Sequence, residues 1–468
     1  MNSRFVRPLA VAPLALAAAL QAQAPAPAAP ATPPLQVRQI GAVTAVSRDS
    51  FLAVTSAVEV AGGRVYINDI LGHRVLLYDS TLANPVVVAD SDPMSPNAYG
   101  SRPGTLIPFH GDSALLITPA SLSMLVLSPT GQIARVMAMP PSGNGLPALI
   151  GSIFGTPGFD ARGRLVYFSP VRMNFRRREA PGADGGGPIT LQPPDSAFLV
   201  RFDLASRTLD TAAAIHIPRN RTTMNRDDRG GFHASMTAFP PRTVDDWAIT
   251  SDGRIAIVRG QDFHVDWLDA AGAWSASGRV PFAWERQTDS TKAALIDSVA
   301  AAMQEAIDSM QARVARGEGP GGNGQTRGGG EAVPGAGGDM VMVFTGPRGG
   351  DGPARGGDGP GGRSGGPPRN TQLPAPTIVK AAPEDVPDYR PAFGQGAVRA
   401  DREGNLWIRT TTMIDGRPVY DVVNAKGELV DRVQLPAFRT IAGFGSGVVY
   451  LGVRDEAGNM HLERVRIR

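Results

Sequence analysis

The chain has 468 residues, no cysteine and a formal net charge of +3. The missing cysteine removes disulfides, thiolate nucleophiles, zinc–cysteine sites and a lipid-modified N-terminal cysteine together. A charge this small over such a length gives no reason to expect a polyanionic partner, so nucleic acid is not expected.

In chain order, Arg4 and Arg7 precede the apolar run Leu9 to Leu20, with small residues at Ala22 and Ala24. This is the order of a secretory signal peptide, assigned to residues 1–22, with cleavage after Ala19 or Ala22. The apolar run falls short of the roughly 20 residues that span a bilayer, and no later segment reaches that length. The mature protein is therefore expected without a transmembrane helix, in the periplasm or secreted, and as a monomer. Residues 23–34 form a Pro/Ala tether.

From residue 35 onward the sequence repeats. A turn followed by an alternating apolar strand occurs at Gly63-Arg64-Val65-Tyr66-Ile67, Gly163-Arg164-Leu165-Val166-Tyr167, Gly253-Arg254-Ile255-Ala256-Ile257, Gly404-Asn405-Leu406-Trp407-Ile408 and Gly447-Val448-Val449-Tyr450-Leu451, with a degenerate copy at Asp112 to Ile117. A second strand follows each copy, as in Arg74 to Tyr78 and His264 to Leu268. Setting aside the leader, Val171 to Asp195 and Glu285 to Asp385 leaves about 51 residues per copy, the size of a four-stranded propeller blade. The expected fold is all-β, a six-bladed β-propeller of four-stranded antiparallel blades, with blades 1–4 in residues 35–284 and blades 5–6 in residues 386–468. The last copy ends after three strands, so Leu35 to Val43 is expected to supply the fourth and close the ring.

Two long insertions interrupt this pattern. In residues 285–316, Val299, Met303, Ile307, Met310 and Val314 recur at helical spacing after a candidate cap at Ser290, which predicts one amphipathic helix packed on the domain. Residues 317–385 are read as a disordered insertion. Its core, Gly317 to Asn370, holds 22 of the 56 glycines and almost no large apolar side chains outside Met340 to Phe344.

The stretches "WAITSDGRIAIVRGQDFHVDWLD" from Trp247 and "ADREGNLWIRTTTMIDGRPVYDVVNAKGELV" from Ala400 resemble the secreted bacterial six-bladed propellers related to the NHL and TolB-like superfamily. The resemblance rests on structural repeat positions, so it implies the fold and says little of function.

Blade topology places both insertions on one face, because the loop between strands two and three and the link to the next blade open on the same side. Near that face the sequence puts Asp69, His73 and Arg74, Arg172, Arg259, Arg409 and Arg454. Arg259, Arg409 and Arg454, with Asp69 and His73, are the candidate ligand-binding set, a cationic mouth suited to carboxylate, phosphate or anionic sugar. The alternative is that these arginines cap strand ends and pair with neighbouring acids. Asp262, His264 and Asp266 alternate along one strand and share a face. They are the candidate metal ligands, and a divalent ion is the one cofactor left open.

Other motifs fail in context. Gly362-Arg363-Ser364-Gly365-Gly366 matches a nucleophile elbow but lies in the glycine-rich tract, and Gly111-Asp112-Ser113 sits in a predicted hairpin turn. No catalytic residue is assigned. The expected function is an exported binding module for a peptide, glycan or small anionic ligand at the decorated face. The alternatives are a metal-dependent hydrolase resembling gluconolactonase-type propellers, marked by carboxylates from at least three blades meeting on the channel, and a cell-envelope scaffold.

Overall fold

The computed structural model describes residues 35–99, 104–118, 121–140, 155–169, 189–191, 194–218, 222–226, 232–315, 332–334, 340–342, 376–455 and 458–467. Six four-stranded antiparallel blades form the propeller. The blades begin with the strands Val54–Val60, Thr105–Phe109, Gly158–Phe159, Asp246–Ile249, Phe393–Ala400 and Arg439–Gly445, which are their innermost members. Every alternating segment found in the sequence is a second strand: Arg64–Asp69, Ser113–Thr118, Leu165–Ser169, Ile255–Arg259, Leu406–Ile414 and Val448–Arg454. Gly163, Gly253, Gly404 and Gly447 precede four of them at positive φ, a conformation that a glycine adopts without the strain of a Cβ.

Six apolar clusters hold the ring, one at each blade interface. Phe263, Phe393 and Val398 join blades four and five, and Tyr66, Val75 and Leu116 join blades one and two. Trp247 joins three and four, Tyr167 two and three, Trp407 five and six, and Tyr450 packs between six and one. Buried polar side chains cross the same interfaces. Tyr450 donates to Glu59 at 2.7 Å, Asn68 to the Gly104 carbonyl at 2.8 Å, and the Val398 N–H to Asp246 at 2.9 Å.

Closure differs in register from the expectation that Leu35 to Val43 forms the closing strand. Val43–Val46 is the outer strand of blade six, antiparallel to Met460–Arg466. The residues before it, Val37–Gln39, instead add a fifth, parallel strand to blade five beside Leu429–Gln434. The switch between blades falls at Gly41, where a Cβ would sit 2.3 Å from the Arg466 carbonyl oxygen. One short segment therefore straps two blades.

Three insertions, not two, decorate one face. The link between blades three and four contains the hairpin Thr222–Arg226 and Phe232–Ala238, which the sequence reading passed over. It pairs with Ile189–Leu191 from the blade-three insertion and with Thr377–Lys380, giving an accessory four-stranded sheet. Thr377–Lys380 and the 3-10 turn Pro383–Asp385 are regular structure, so the end of the segment read as disordered is ordered. Gly317 to Asn370 lies outside the described residues except for a pairing of Ala332–Pro334 with Met340–Met342.

The predicted helix, α1 (Asp289–Ala315), packs against Phe232–Ala238, Thr377–Lys380 and the 3-10 turn. Ile296 and Ala300 are buried apolar residues of the helix and Lys292 a buried polar one, with Val299, Met303 and Ile307 half-buried beside them. Its cap is Thr288, whose Oγ1 accepts the Thr291 N–H, and not Ser290. Lys292 to Asp388 and Lys380 to Asp297, both at 2.7 Å, fasten the helix to the segment entering blade five and to Thr377–Lys380.

Candidate functional site

On the decorated face of blade four, the turn Gly260 to Phe263 links Ile255–Arg259 to His264–Leu268. Gly260 is required there, because a Cβ would lie 2.1 Å from the Val244 carbonyl oxygen. Its N–H donates to Asp245 at 3.1 Å. Phe263 is held at φ +54, and its carbonyl accepts the Val280 N–H at 2.7 Å. That strain turns the flanking Asp262 and His264 toward the face while the Phe263 ring goes fully into the core.

An open cleft of about 630 Å³ forms here, lined by this turn, by His216 and Thr243 from the preceding link, and by Arg279 at the end of the outer strand. A continuous row of charges runs along it. Arg279 lies 3.4 Å from Asp262, and Asp262 is 2.5 Å from His264 Nδ1. His264 Nε2 faces Asp266 at 3.1 Å, and Arg259 bridges Asp266 and Asp245, both at 2.7 Å. Asp245 also accepts the His216 backbone N–H at 3.0 Å.

Burial alone would push the Arg259 guanidinium down, but Asp266 and Asp245 outweigh it and hold the group above its ordinary value. At Asp262 desolvation works to raise the carboxyl. The hydrogen bond and charge of His264, helped by Arg279, prevail and keep it below the usual range. Along the row three carboxylates alternate with two guanidinium groups and the imidazole.

The sequence-derived residues have separate settings. Of Arg259, Arg409, Arg454, Asp69 and His73, only Arg259 lines the cleft. It is committed to two aspartates and to the Ala214 carbonyl. Arg454 is exposed and donates to the Gly458 carbonyl at 2.9 Å. Arg409 stands near Arg399 and Tyr420 in blade five. Asp69 is fully buried and accepts the N–H groups of Leu52, Ala53 and Gly72, together with Arg74 Nε, so it organises the blade-one turn. His73 is buried in that turn at φ +51, the position Phe263 holds in blade four.

Asp262, His264 and Asp266 do come together, as their shared strand face implied. They satisfy one another, however. Both imidazole nitrogens face carboxylates, and among the described residues no group of three or more His, Cys, Asp or Glu side chains is arranged to hold a metal. Ser113 opens the second strand of blade two, its Oγ donating back to the His110 carbonyl of the preceding turn at 2.6 Å.

Asp245, Thr243, Gln261, Arg279 and His216 belong to the cleft and were not selected from sequence. The one available signal was the pair Asp245-Asp246 at the mouth of an inner strand. Asp245 serves the cleft, while Asp246 is turned into the core beneath.

Fold and site together define a six-bladed β-propeller that carries an accessory sheet and a cleft lined by alternating charges on one face. No protein-family model matches the chain. No curated protein matches it either. Solved structures resemble the ring. Virginiamycin B lyase from Staphylococcus aureus is 8% identical over 90% of this chain and 83% of its own, with TM-score 0.33. A member of the duf4221 family from Bacteroides vulgatus is 9% identical over 93% and 98%, with TM-score 0.38. A gluconolactonase from Xanthomonas campestris is 12% identical over 53% and 91%, with TM-score 0.24. Likeness at this level bears on fold alone, and no ligand or chemistry is taken from it.

Proposed function

We propose that the protein is an exported propeller that binds a ligand in the cleft of blade four. The supporting observation is the convergence of three separate insertions on the face where the cleft opens. Long decorations confined to one face of a rigid ring are the usual way such scaffolds carry recognition. Export is inferred from the N-terminal leader, and among the described residues no helix is long and apolar enough to cross a membrane.

The cleft suits a ligand rich in hydrogen-bonding groups. Arg279 is 78% exposed and only loosely tied to Asp262, and Gln261 and His216 are exposed as well. The test is a thermal-shift and affinity screen of the mature protein against glycan, peptide and anionic-metabolite libraries, repeated with Gln261→Ala plus Arg279→Ala. Hits that vanish in the double variant support the reading. An absence of hits, or hits that the variant retains in full, refutes it.

A further inference from the structure

We infer that the cleft is one end of a longer platform for an uncharged oligosaccharide. This rests on the binding reading above and names its ligand class. Beyond Arg279 in the cleft wall the chain runs five residues to Trp284, which is 40% exposed. The Trp284 ring is held edge-on at 5.3 Å by the half-buried Phe282, and Phe282 is anchored edge-on at 5.8 Å to the core ring of Phe263 beneath the turn.

A short ribbon prolongs the row. Arg286 pairs antiparallel with Tyr389, and the flanking bonds run from the Gln287 N–H to the Asp388 carbonyl at 2.7 Å and from the Arg390 N–H to the Glu285 carbonyl at 2.9 Å. Arg286 and Tyr389 are therefore a non-hydrogen-bonded pair, the kind whose side chains approach most closely. Trp284 lies two residues before Arg286, at the same end of the ribbon. Tyr389 is 50% exposed, whereas Gln287, on the opposite side of the ribbon, is buried.

The chemistry of the two halves selects the ligand. A pyranose offers an apolar face of C–H bonds, which packs on an exposed aromatic ring, and a rim of hydroxyls that both donate and accept. The row Arg279, Asp262, His264, Asp266, Arg259 and Asp245 alternates donors with acceptors, so adjacent hydroxyls find one of each. A small anion gains little there, because three carboxylates line the row and both guanidinium groups are already engaged with them. An apolar helix is poorly served too, since Glu285 and Arg286 interrupt the rings.

The test is calorimetric titration of the full chain with neutral hexasaccharides of glucose, xylose, mannose and N-acetylglucosamine, with polygalacturonate as the charged control. At least one neutral oligosaccharide should bind. Trp284→Ala should weaken it about tenfold or more, equivalent to about 1.4 kcal/mol, and Trp284→Phe should retain most of the affinity. Trp274→Ala, at an equally exposed ring on the outer strand of blade four, should change nothing. In a Trp274→Phe background the same sugar should shield Trp284 from acrylamide quenching. Lack of binding by every neutral oligosaccharide, or binding that Trp284→Ala leaves intact, overturns the inference. Peptide or anion hits lost on Arg279→Ala but not on Trp284→Ala would overturn the glycan assignment while leaving the cleft as the binding site.

Discussion

Replacing Asp246 with asparagine isolates what one buried carboxylate costs the ring. Asp246 is fully buried on the inner strand of blade four, and desolvation pushes it up from 3.8 to about 7, against the pull of the Val398 N–H and the Arg399 charge. A raised native pKa means that the folded chain binds more protons than the unfolded chain between pH 3.8 and about 7. Stability from this group is therefore present at the acid end and lost as pH rises through that window. About three pH units at 1.36 kcal/mol each give a change of about 4 kcal/mol. Asparagine keeps a carbonyl for the Val398 N–H and removes the titration. Urea unfolding of both proteins at pH 4.5, 6 and 8 is the assay. The stability of Asp246→Asn relative to wild type should rise by about 3 kcal/mol from pH 4.5 to pH 8, the part of the window the assay spans, whatever the fixed offset between them. Parallel pH profiles would refute the assignment of a strained, proton-holding carboxylate.

Three further outcomes are expected. Deleting residues 37–46 removes the strap, the buried Ile40 and the Arg38–Asp431 pair, and should cost at least about 3 kcal/mol by urea unfolding; an unchanged midpoint would show that the ring closes without it. Gly260→Ala sets a Cβ against the Val244 carbonyl and should destabilise by about 1–3 kcal/mol while abolishing probe binding in the cleft; wild-type stability would contradict the close approach. Tyr450→Phe deprives buried Glu59 of its hydroxyl donor and should lower stability by about 1–3 kcal/mol, read by thermal melting, whereas no change would mean that the Glu59 contacts do not tie blade six to blade one.

The blades were legible because each second strand announces itself by a turn glycine and a period-two apolar run, a pattern that local sterics alone impose. The hairpin of Thr222–Arg226 and Phe232–Ala238 carries no such mark. Its strands are mostly polar, and they are fixed by partners more than a hundred residues away, such as Thr377–Lys380. The strap was placed a few residues early because Leu35 to Val46 offers no turn signal besides Gly41, and only the close crossing there splits it between blades. For the site, the shared face of Asp262, His264 and Asp266 followed from alternation. That Arg259 is already neutralised did not, because its partner Asp245 lies 14 residues away, beyond the reach of strand periodicity.

The strap also sets the order in which the molecule can be completed. Arg38 and Asp431 are 393 residues apart, so the first strands of the chain cannot find their places until almost everything else has been made. At roughly 5–20 residues per second, synthesis of that interval takes roughly 20–80 s. Throughout it, blade six is missing and the edges of the growing arc stand open to other chains. Final closure is then a late, all-or-none latching step between the two ends, and the half-built arc is the species on which a chaperone or an aggregating neighbour would act.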